Sequence, residues 1–447
     1  MSTLRRATPH EAETQYLSQA KHTPWGGPLD PASYLARKRL LERCALPTSV
    51  WVLVDDTAGA GDGEHILASC ELTTKPAVVS YPNPNSQVDL SGEGKEDGKE
   101  VMVRETSCIG ISCVYLAPEM RGRGYGDRLM REVGGMLASA QQDVGKKGGG
   151  VGCGFGSVLF SDIGATFYTR YGFLPRKLPY LSIEVSPNPN PDSTTTTTPT
   201  PTLIPRSSLP QLCTLDKKRV ISTLEKYTQH TGHAAISLLT DPSTLDRWFV
   251  REDFTAEYMG ISQPQPQPQD ERVCGVLVNN PDSPLPNTNT DHTPRVLNVD
   301  INMNMNKADW CLWTRMWYSP TVGQREGNRL YVLRVSLAGR DTTPADGEKG
   351  LGEGRGQVER VKVLLGEAVK EARKWEMESV EVWDPCEVVV RAARELDCAD
   401  PGREVERVTV GVKGEVEVPH LRWMGGHGDG QDEGQVDWIG VEKGGWC

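Results

Sequence analysis

The residues of this 447-residue chain best suited to chemistry gather in one stretch, Val114-Tyr115-Leu116-Ala117-Pro118-Glu119-Met120-Arg121-Gly122-Arg123-Gly124-Tyr125-Gly126. Gly122, Gly124 and Gly126 remove side chains where the backbone turns into a helix. That bares amide N–H groups which a helix amino end leaves without acceptors. The helix dipole favours negative charge at the same place. A diphosphate fits such a turn. Arg121, Arg123 and Arg128 can add charge-assisted hydrogen bonds, although Arg128 also reads as an exposed helical position. The glycines do not follow the G-x-G-x-x-G spacing of a dinucleotide fingerprint, and no βαβ unit with a following acid accompanies them.

Several elements must hold this turn. Ile109 to Leu116 is apolar and β-branched, hence a buried strand. Pro118 stops it, because proline cannot donate to a sheet ladder. Leu129, Met130, Val133, Met136 and Leu137 follow at helical spacing. Upstream, Pro9 to Ala20 reads as a helix, and Asp30-Pro31 as the cap and first turn of a second. Ser49 to Asp55 and Ile66 to Leu72 read as a hairpin. Downstream, Ser157 to Phe160 is a strand. Asp162 is then expected to cap a short helix that Gly172 ends in the left-handed conformation, with Phe173 restarting a strand.

Composition narrows the function. The net charge of −11 argues against nonspecific binding of nucleic acid or anionic membranes. There are 11 cysteines and no C-x-x-C pair, so no zinc knuckle is indicated, no metal is expected, and reduced thiols are. No apolar run reaches the roughly 18 residues of a membrane span. A soluble, cytoplasmic protein is the expectation.

Pro187 to Pro210, with its threonine tract, cannot bury enough apolar surface to fold and reads as a linker. Residues 1–186 then form one domain and 211–447 a C-terminal α/β domain. In the latter, helices are expected at Asp216 to His230, Asp241 to Tyr258, Val358 to Met377 and Val388 to Leu396. Strands are expected at Cys274 to Val278, Leu330 to Leu337 and from Val380. This order repeats that of the first half, so the C-terminal domain reads as a degenerate copy of the same fold, an unrelated α/β domain being the alternative. The acidic segment Ala338 to Gly356 stands where a phosphate turn would be. It would repel a diphosphate, so one coenzyme site per chain is expected, at Arg121 to Gly126.

The pattern Arg121-x-x-Gly124-x-Gly126 after V-x-L-x-P resembles the acyl-coenzyme-A loop of the GNAT acetyltransferase superfamily. The run from Ala165 through Phe167-Tyr168 to Gly172-Phe173 resembles its second signature. Within the superfamily, the chain resembles the fungal lysine N-acetyltransferase family of lysine catabolism. That likeness is carried by Ser69-Cys70-Glu71, Ser161-Asp162-Ile163-Gly164, Arg251-Glu252-Asp253-Phe254 and Trp438 with Glu442 to Cys447. It implies an α/β GNAT fold, a mixed central sheet with flanking helices, and acetyl-CoA as co-substrate. It implies free L-lysine as acceptor at its ε-amino group. A protein or polyamine acetyltransferase, or an inactive GNAT-fold binding protein, is the alternative.

The resemblance also distributes roles. Backbone groups of Val114, Tyr115 and Leu116 would pair with pantetheine. The N–H groups from Arg121 through Gly122, Arg123, Gly124, Tyr125 and Gly126 would hold the diphosphate. Tyr168 matches the tyrosine that protonates the departing thiolate. A lysine ε-amine has a pKa of about 10.4, so freeing it of its proton at pH 7 costs roughly 4–5 kcal/mol and calls for a base. Glu71 is the first candidate and Asp162 the second, a helix cap being the other reading of Asp162. The loop His22 to Gly27 reads as irregular or as lying on the substrate side. The tryptophan-rich segment and the Trp446 end read as core or as a cover over the acceptor.

Overall fold

A computed structural model describes residues 2–56, 66–83, 100–146, 156–186, 200–261, 271–280, 295–296, 307–339, 353–397, 407–424 and 436–446. The first half forms β1 (Ser2–Arg6), α1 (Pro9–His22), α2 (Pro31–Leu41), β2 (Thr48–Asp55), β3 (Ile66–Pro82), β4 (Val101–Tyr115), α3 (Tyr125–Lys146), β5 (Gly156–Ser161), β6 (Leu174–Pro175) and β7 (Leu178–Glu184). The second half begins with β8 (Thr202–Pro205), α4 (Leu209–Thr231), β9 (Ala234–Leu238), α5 (Pro242–Tyr258), β10 (Val273–Val278), β11 (Arg295–Val296) and β12 (Asp309–Met316). It continues with β13 (Arg329–Ser336), α6 (Glu353–Lys374), β14 (Ser379–Trp383), α7 (Glu387–Asp397), β15 (Val408–Lys413), β16 (Val418–Trp423) and β17 (Val436–Trp438).

Local signals start the helices. Thr8 closes a capping box with Glu11 ahead of α1, and Pro9 occupies the first position. Asp30 accepts from the N–H groups of Ala32 and Ser33 at 2.8 and 3.0 Å and so starts α2. Asp241 does the same for α5 through Thr244 N at 2.8 Å.

Two mixed sheets result. The first runs β1-β2-β3-β4-β5-β16-β6, with β9 on the far half of β3 and β17 beside β9. The second runs β11-β8-β10-β12-β13-β14-β7-β15. In the first sheet β1 to β4 pair antiparallel and β5 joins β4 in parallel, with α3 as the crossover. In the second, β8, β10, β12 and β13 pair antiparallel and β14 joins β13 in parallel, with α6 as the crossover. The architecture is therefore α/β, and the second sheet repeats the order of the first. Leu129, Met130, Val133 and Leu137 seat α3 on its sheet; α6 and α7 cover one face of the other through Val361, Leu365, Val389 and Ala392.

The boundary drawn at 187–210 needs correction. Residues 187–199 lie outside the described residues, but Thr202–Pro205 is a strand and 206–208 a 3-10 turn. The sheets also cross that boundary. β7, from the first half, is buried between β14 and β15 of the second sheet. β16, from the second half, fills the slot between β5 and β6 of the first. Each half thus completes its sheet with a strand of the other. On one edge of β5 and of β14, the main-chain groups find their strand partners across the exchange.

Other expectations shift. No helix begins at Asp162; the only helical turn there is a 3-10 turn over Tyr168–Tyr171, which Gly172 ends at φ +80°. β3 does not stop at Leu72 but runs on to Pro82, where pairing with β4 and β9 satisfies its backbone and the buried Thr73 and Lys75 side chains meet Thr48 Oγ1 at 3.1 Å and Trp446 O at 3.3 Å. Trp310 and Trp313 are core residues of β12. Most of the acidic segment after β13 lies outside the described residues. No helix among the described residues is long and apolar enough to cross a membrane.

Candidate active site

The notch between β4 and β5 follows from one extra residue. Glu71 pairs with Ser112 but Ser69 pairs with Tyr115, so β4 carries a bulge at Cys113, whose φ is +48°. A bulge bends its strand. Pairing of β4 with β5 accordingly stops at Ile111–Leu159, and β5 continues against β16 alone. From Ser112 onward, the edge of β4 that faces β5 has no strand partner among the described residues. Val114, Tyr115 and Leu116 lie on this edge, which suits an extended chain bearing amides.

The glycine turn sits at the mouth of the notch. Gly122 and Gly124 have φ of +73° and +79°, and a Cβ on either would meet nothing within 4 Å. Conformation, not space, calls for glycine there. At Gly126 a Cβ would stand 3.6 Å from Leu116 Cδ1 and from Phe167 Cζ, which brings the start of α3 against the end of β4. Arg121 to Gly124 are exposed. The arginines divide. Arg121 Nε donates to the Leu116 carbonyl at 3.2 Å, and Arg128 donates to Ser2 O at 2.6 Å and pairs with Glu132 at 3.0 Å. Arg128 is therefore taken up in structure, while Arg123 stays exposed beside the turn.

Tyr168 is buried behind the notch, edge-on to Phe167 at 4.9 Å and to His420 at 5.7 Å between ring centroids. Burial first, then the charge of Asp162, pushes its hydroxyl pKa well up, so it keeps its proton. Asp162 Oδ1 accepts from Glu417 N at 3.3 Å, and the Trp25 side chain is a further hydrogen-bond partner. Asp162 is exposed at its surface, yet crowding by its neighbours, then the Glu417 carboxylate, raises its pKa against the pull of Lys443.

Glu71, the first candidate for a base, is differently placed. It is buried, forms a close ion pair with Lys38 and faces Arg247 Nη2 at 3.8 Å. Burial would raise its pKa, but Lys38 and Arg247 together hold it below the usual carboxylate value. A carboxylate closed between two cations is a poor proton acceptor. Of the two carboxylates, Asp162 has its pKa raised and Glu71 has its pKa lowered, and Glu71 ties β3 to α2 and α5 through Lys38 and Arg247.

His420 and Glu417 escaped sequence reasoning, whereas Lys443 and Trp25 fall in stretches that the sequence marks. His420 comes from β16, with Nδ1 2.9 Å from Val418 O and Nε2 3.1 Å from Ala165 O. Lys443 Nζ is boxed by the rings of Trp383, Trp446 and Tyr331 at 3.9, 4.1 and 4.3 Å, with Glu417 Oε1 at 2.8 Å. Burial lowers the Lys443 pKa to about 8 against the pull of Glu417. The Trp25 ring lies edge-on to Tyr115 at 6.3 Å, and the Tyr115 hydroxyl meets Ser18 Oγ at 2.8 Å and His22 Nδ1 at 3.1 Å. The loop after α1 therefore borders the site. No local signal marks His420 or Glu417, which stand beside Tyr168 and Asp162 through the placement of β16 against β5.

Residues 182–447, more than half of the chain, match the family described as "LYC1 GNAT-like C-terminal domain". No curated protein matches the sequence. Among solved structures, a GCN5-related N-acetyltransferase from Anabaena variabilis is similar at a TM-score of 0.44 and 12% identity, covering 95% of this chain and 73% of that one. N-myristoyltransferase of Saccharomyces cerevisiae, with bound myristoyl-CoA and inhibitors, is similar at 0.44 and 9%, covering 94% and 80%. A GNAT family acetyltransferase from Brucella melitensis, in complex with acetyl-CoA, is similar at 0.22 and 19%, covering 39% and 82%.

Proposed function

Because the chain belongs to the LYC1 GNAT-like family, we propose that it transfers the acetyl group of acetyl-CoA to a primary amine, the ε-amino group of free L-lysine, as a cytoplasmic enzyme of lysine degradation. The observation that carries this reading is the bulge at Cys113, which parts β4 from β5 beside the glycine turn. Pantetheine fits along Val114 to Leu116, and the diphosphate fits on the N–H groups from Arg121 to Gly126.

The chemistry then divides between two side chains. Asp162 takes the proton of the acceptor ammonium, directly or through one water; freeing the amine at pH 7 costs roughly 4–5 kcal/mol, and a positioned acceptor gives that proton a path. The neutral amine attacks the thioester carbonyl; the C–N bond forms, the C–S bond breaks, Tyr168 gives its proton to the departing thiolate, and the second proton lost by the nitrogen restores the Tyr168 hydroxyl. Its raised pKa keeps the hydroxyl protonated but makes it a weaker acid, so the proton passes only as the thiolate departs. Holding amine and thioester in one notch contributes much of the rate.

The test is acetyl transfer from acetyl-CoA to free lysine, ornithine, spermidine and lysine-bearing peptides, read by mass spectrometry. Acetylation of lysine at its ε-nitrogen ahead of the others is expected. Preference for peptides or spermidine would overturn the acceptor; no transfer to any amine would overturn the enzyme.

A further inference from the structure

Two guanidinium groups, Arg37 buried and Arg251 half-buried, have no carboxylate partner among the described residues. Arg37, on α2, is 4% exposed. Its Nη2 donates to Trp25 O at 3.0 Å, and its Nε has no partner. The group closest to it in charge is another cation, Arg251 of α5; Tyr34, Cys113 and Tyr318 are its other titratable neighbours. Arg251 Nε is also without a partner, and its guanidinium lies 5.6 Å from the Trp446 ring centroid.

The carboxylates around them are engaged elsewhere. Glu71 is held by Lys38 and Arg247. Glu252 pairs with Arg315 at 2.5 Å and faces Arg206 at 3.6 Å, and Asp253 pairs with Arg206 at 2.7 Å and Arg272 at 2.5 Å. Among the described residues, neither Arg37 nor Arg251 forms an ion pair. Burying the Arg37 charge without a counter-charge is costly, and the like charge of Arg251 adds to that cost. A carboxylate bound there would relieve both.

We propose that Arg37 and Arg251 form a carboxylate-binding subsite for the acceptor, which is therefore an amine that also carries a carboxylate. This deepens the acetyltransferase reading and rests on it for the identity of the acceptor. The placement suits the task. Arg37 adjoins Lys38, whose Nζ is 3.4 Å from Cys113 Sγ at the bulge. Arg37 also grips the backbone of Trp25, whose side chain reaches Asp162. An acceptor anchored through its carboxylate at the two forks extends its amine along that same loop toward Asp162. Arginine suits the role because its planar fork meets both oxygens of a carboxylate.

The experiment compares L-lysine with cadaverine, which has the same terminal amine and no carboxylate, in full-length wild type, Arg37→Met and Arg251→Met. Each substitution is expected to raise KM for lysine roughly 10- to 100-fold, the worth of a hydrogen-bonded charge pair, and to leave cadaverine within about twofold. Arg37→Lys should recover part of the loss. An equal loss on both acceptors, or none on lysine, overturns the subsite. Unliganded Arg37→Met should also melt no lower than wild type, since it removes an unpaired buried charge; a clear fall in Tm counts against the proposal.

A second arm does not depend on turnover. Valerate, a carboxylate without an amine, should raise the Tm of wild type, compete with lysine and have no effect on Arg37→Met, while pentylamine should do little. Valerate that binds without competing with lysine overturns the assignment to the acceptor. Valerate binding that depends on Arg37, with no acetyl transfer to any amine, would keep the subsite and sink the acetyltransferase reading.

Discussion

The backbone N–H of Glu417 donates to Asp162 Oδ1 at 3.3 Å, joining residues 255 positions apart. The Glu417 side chain meanwhile pairs with Lys443 and Lys413, each at 2.8 Å. The second half of the chain thus sets the electrostatics of the carboxylate that the first half presents to the notch.

Asp162→Asn should abolish most turnover while acetyl-CoA still binds, as single-turnover kinetics and calorimetry can show. In wild type the rate should fall on acidification at a pH above the ordinary aspartate value of 3.8, because the base works only when ionised and its pKa is raised. Glu417→Gln removes a like charge and should move that limb to lower pH; Lys443→Met removes an opposite charge and should move it higher. Shifts of the same sign would mean that the cluster only supports the fold.

Tyr168→Phe should slow turnover with little change in the KM for acetyl-CoA. A thiol pKa near 8.5 makes the donated proton helpful rather than indispensable, so roughly a 10- to 100-fold loss is expected. Unchanged turnover would remove Tyr168 from the acid role.

Gly124→Ala forces a side chain into φ +79° at a cost of about 1–2 kcal/mol, although the space is open. It should weaken acetyl-CoA binding more than stability, because the turn is exposed and can relax away from its binding shape. Gly126→Ala, already helical and in ordinary contact distance, should be the milder change. Titration of both variants with coenzyme A distinguishes them.

Lys38→Met leaves Glu71 buried with Arg247 as its remaining cation. It should destabilise the protein by about 3–5 kcal/mol, measured by denaturant unfolding. The folded-state pKa of Glu71 is lowered, so its ion pair contributes stability above the ordinary value of 4.5 and loses it as pH falls below. Stability of Lys38→Met should therefore depend less on pH in that acidic window than wild type.

A fragment ending at residue 186 lacks β16 and carries β7 without its partners β14 and β15. It should be insoluble or lack cooperative unfolding. A soluble fragment 1–186 that binds coenzyme A would show the exchange to be dispensable.

Sequence alone determined the local features. The caps at Asp30 and Asp241, the glycines of positive φ, the strand into Tyr115 and the amphipathic α3 and α6 each depend on neighbours a few residues away, and such signals are readable along the chain. The repeat of the fold was legible for the same reason, in element order. What the tertiary structure decided is pairing and charge compensation. β7 and β16 are too short to announce their partners, and their exchange is fixed by backbone groups that only meet in three dimensions. Asp162 and Glu71 look equivalent in sequence, both carboxylates at strand ends. Lys38 and Arg247 on one side, and Glu417 on the other, separate them, because proton affinity is set by charges through space and not by order along the chain.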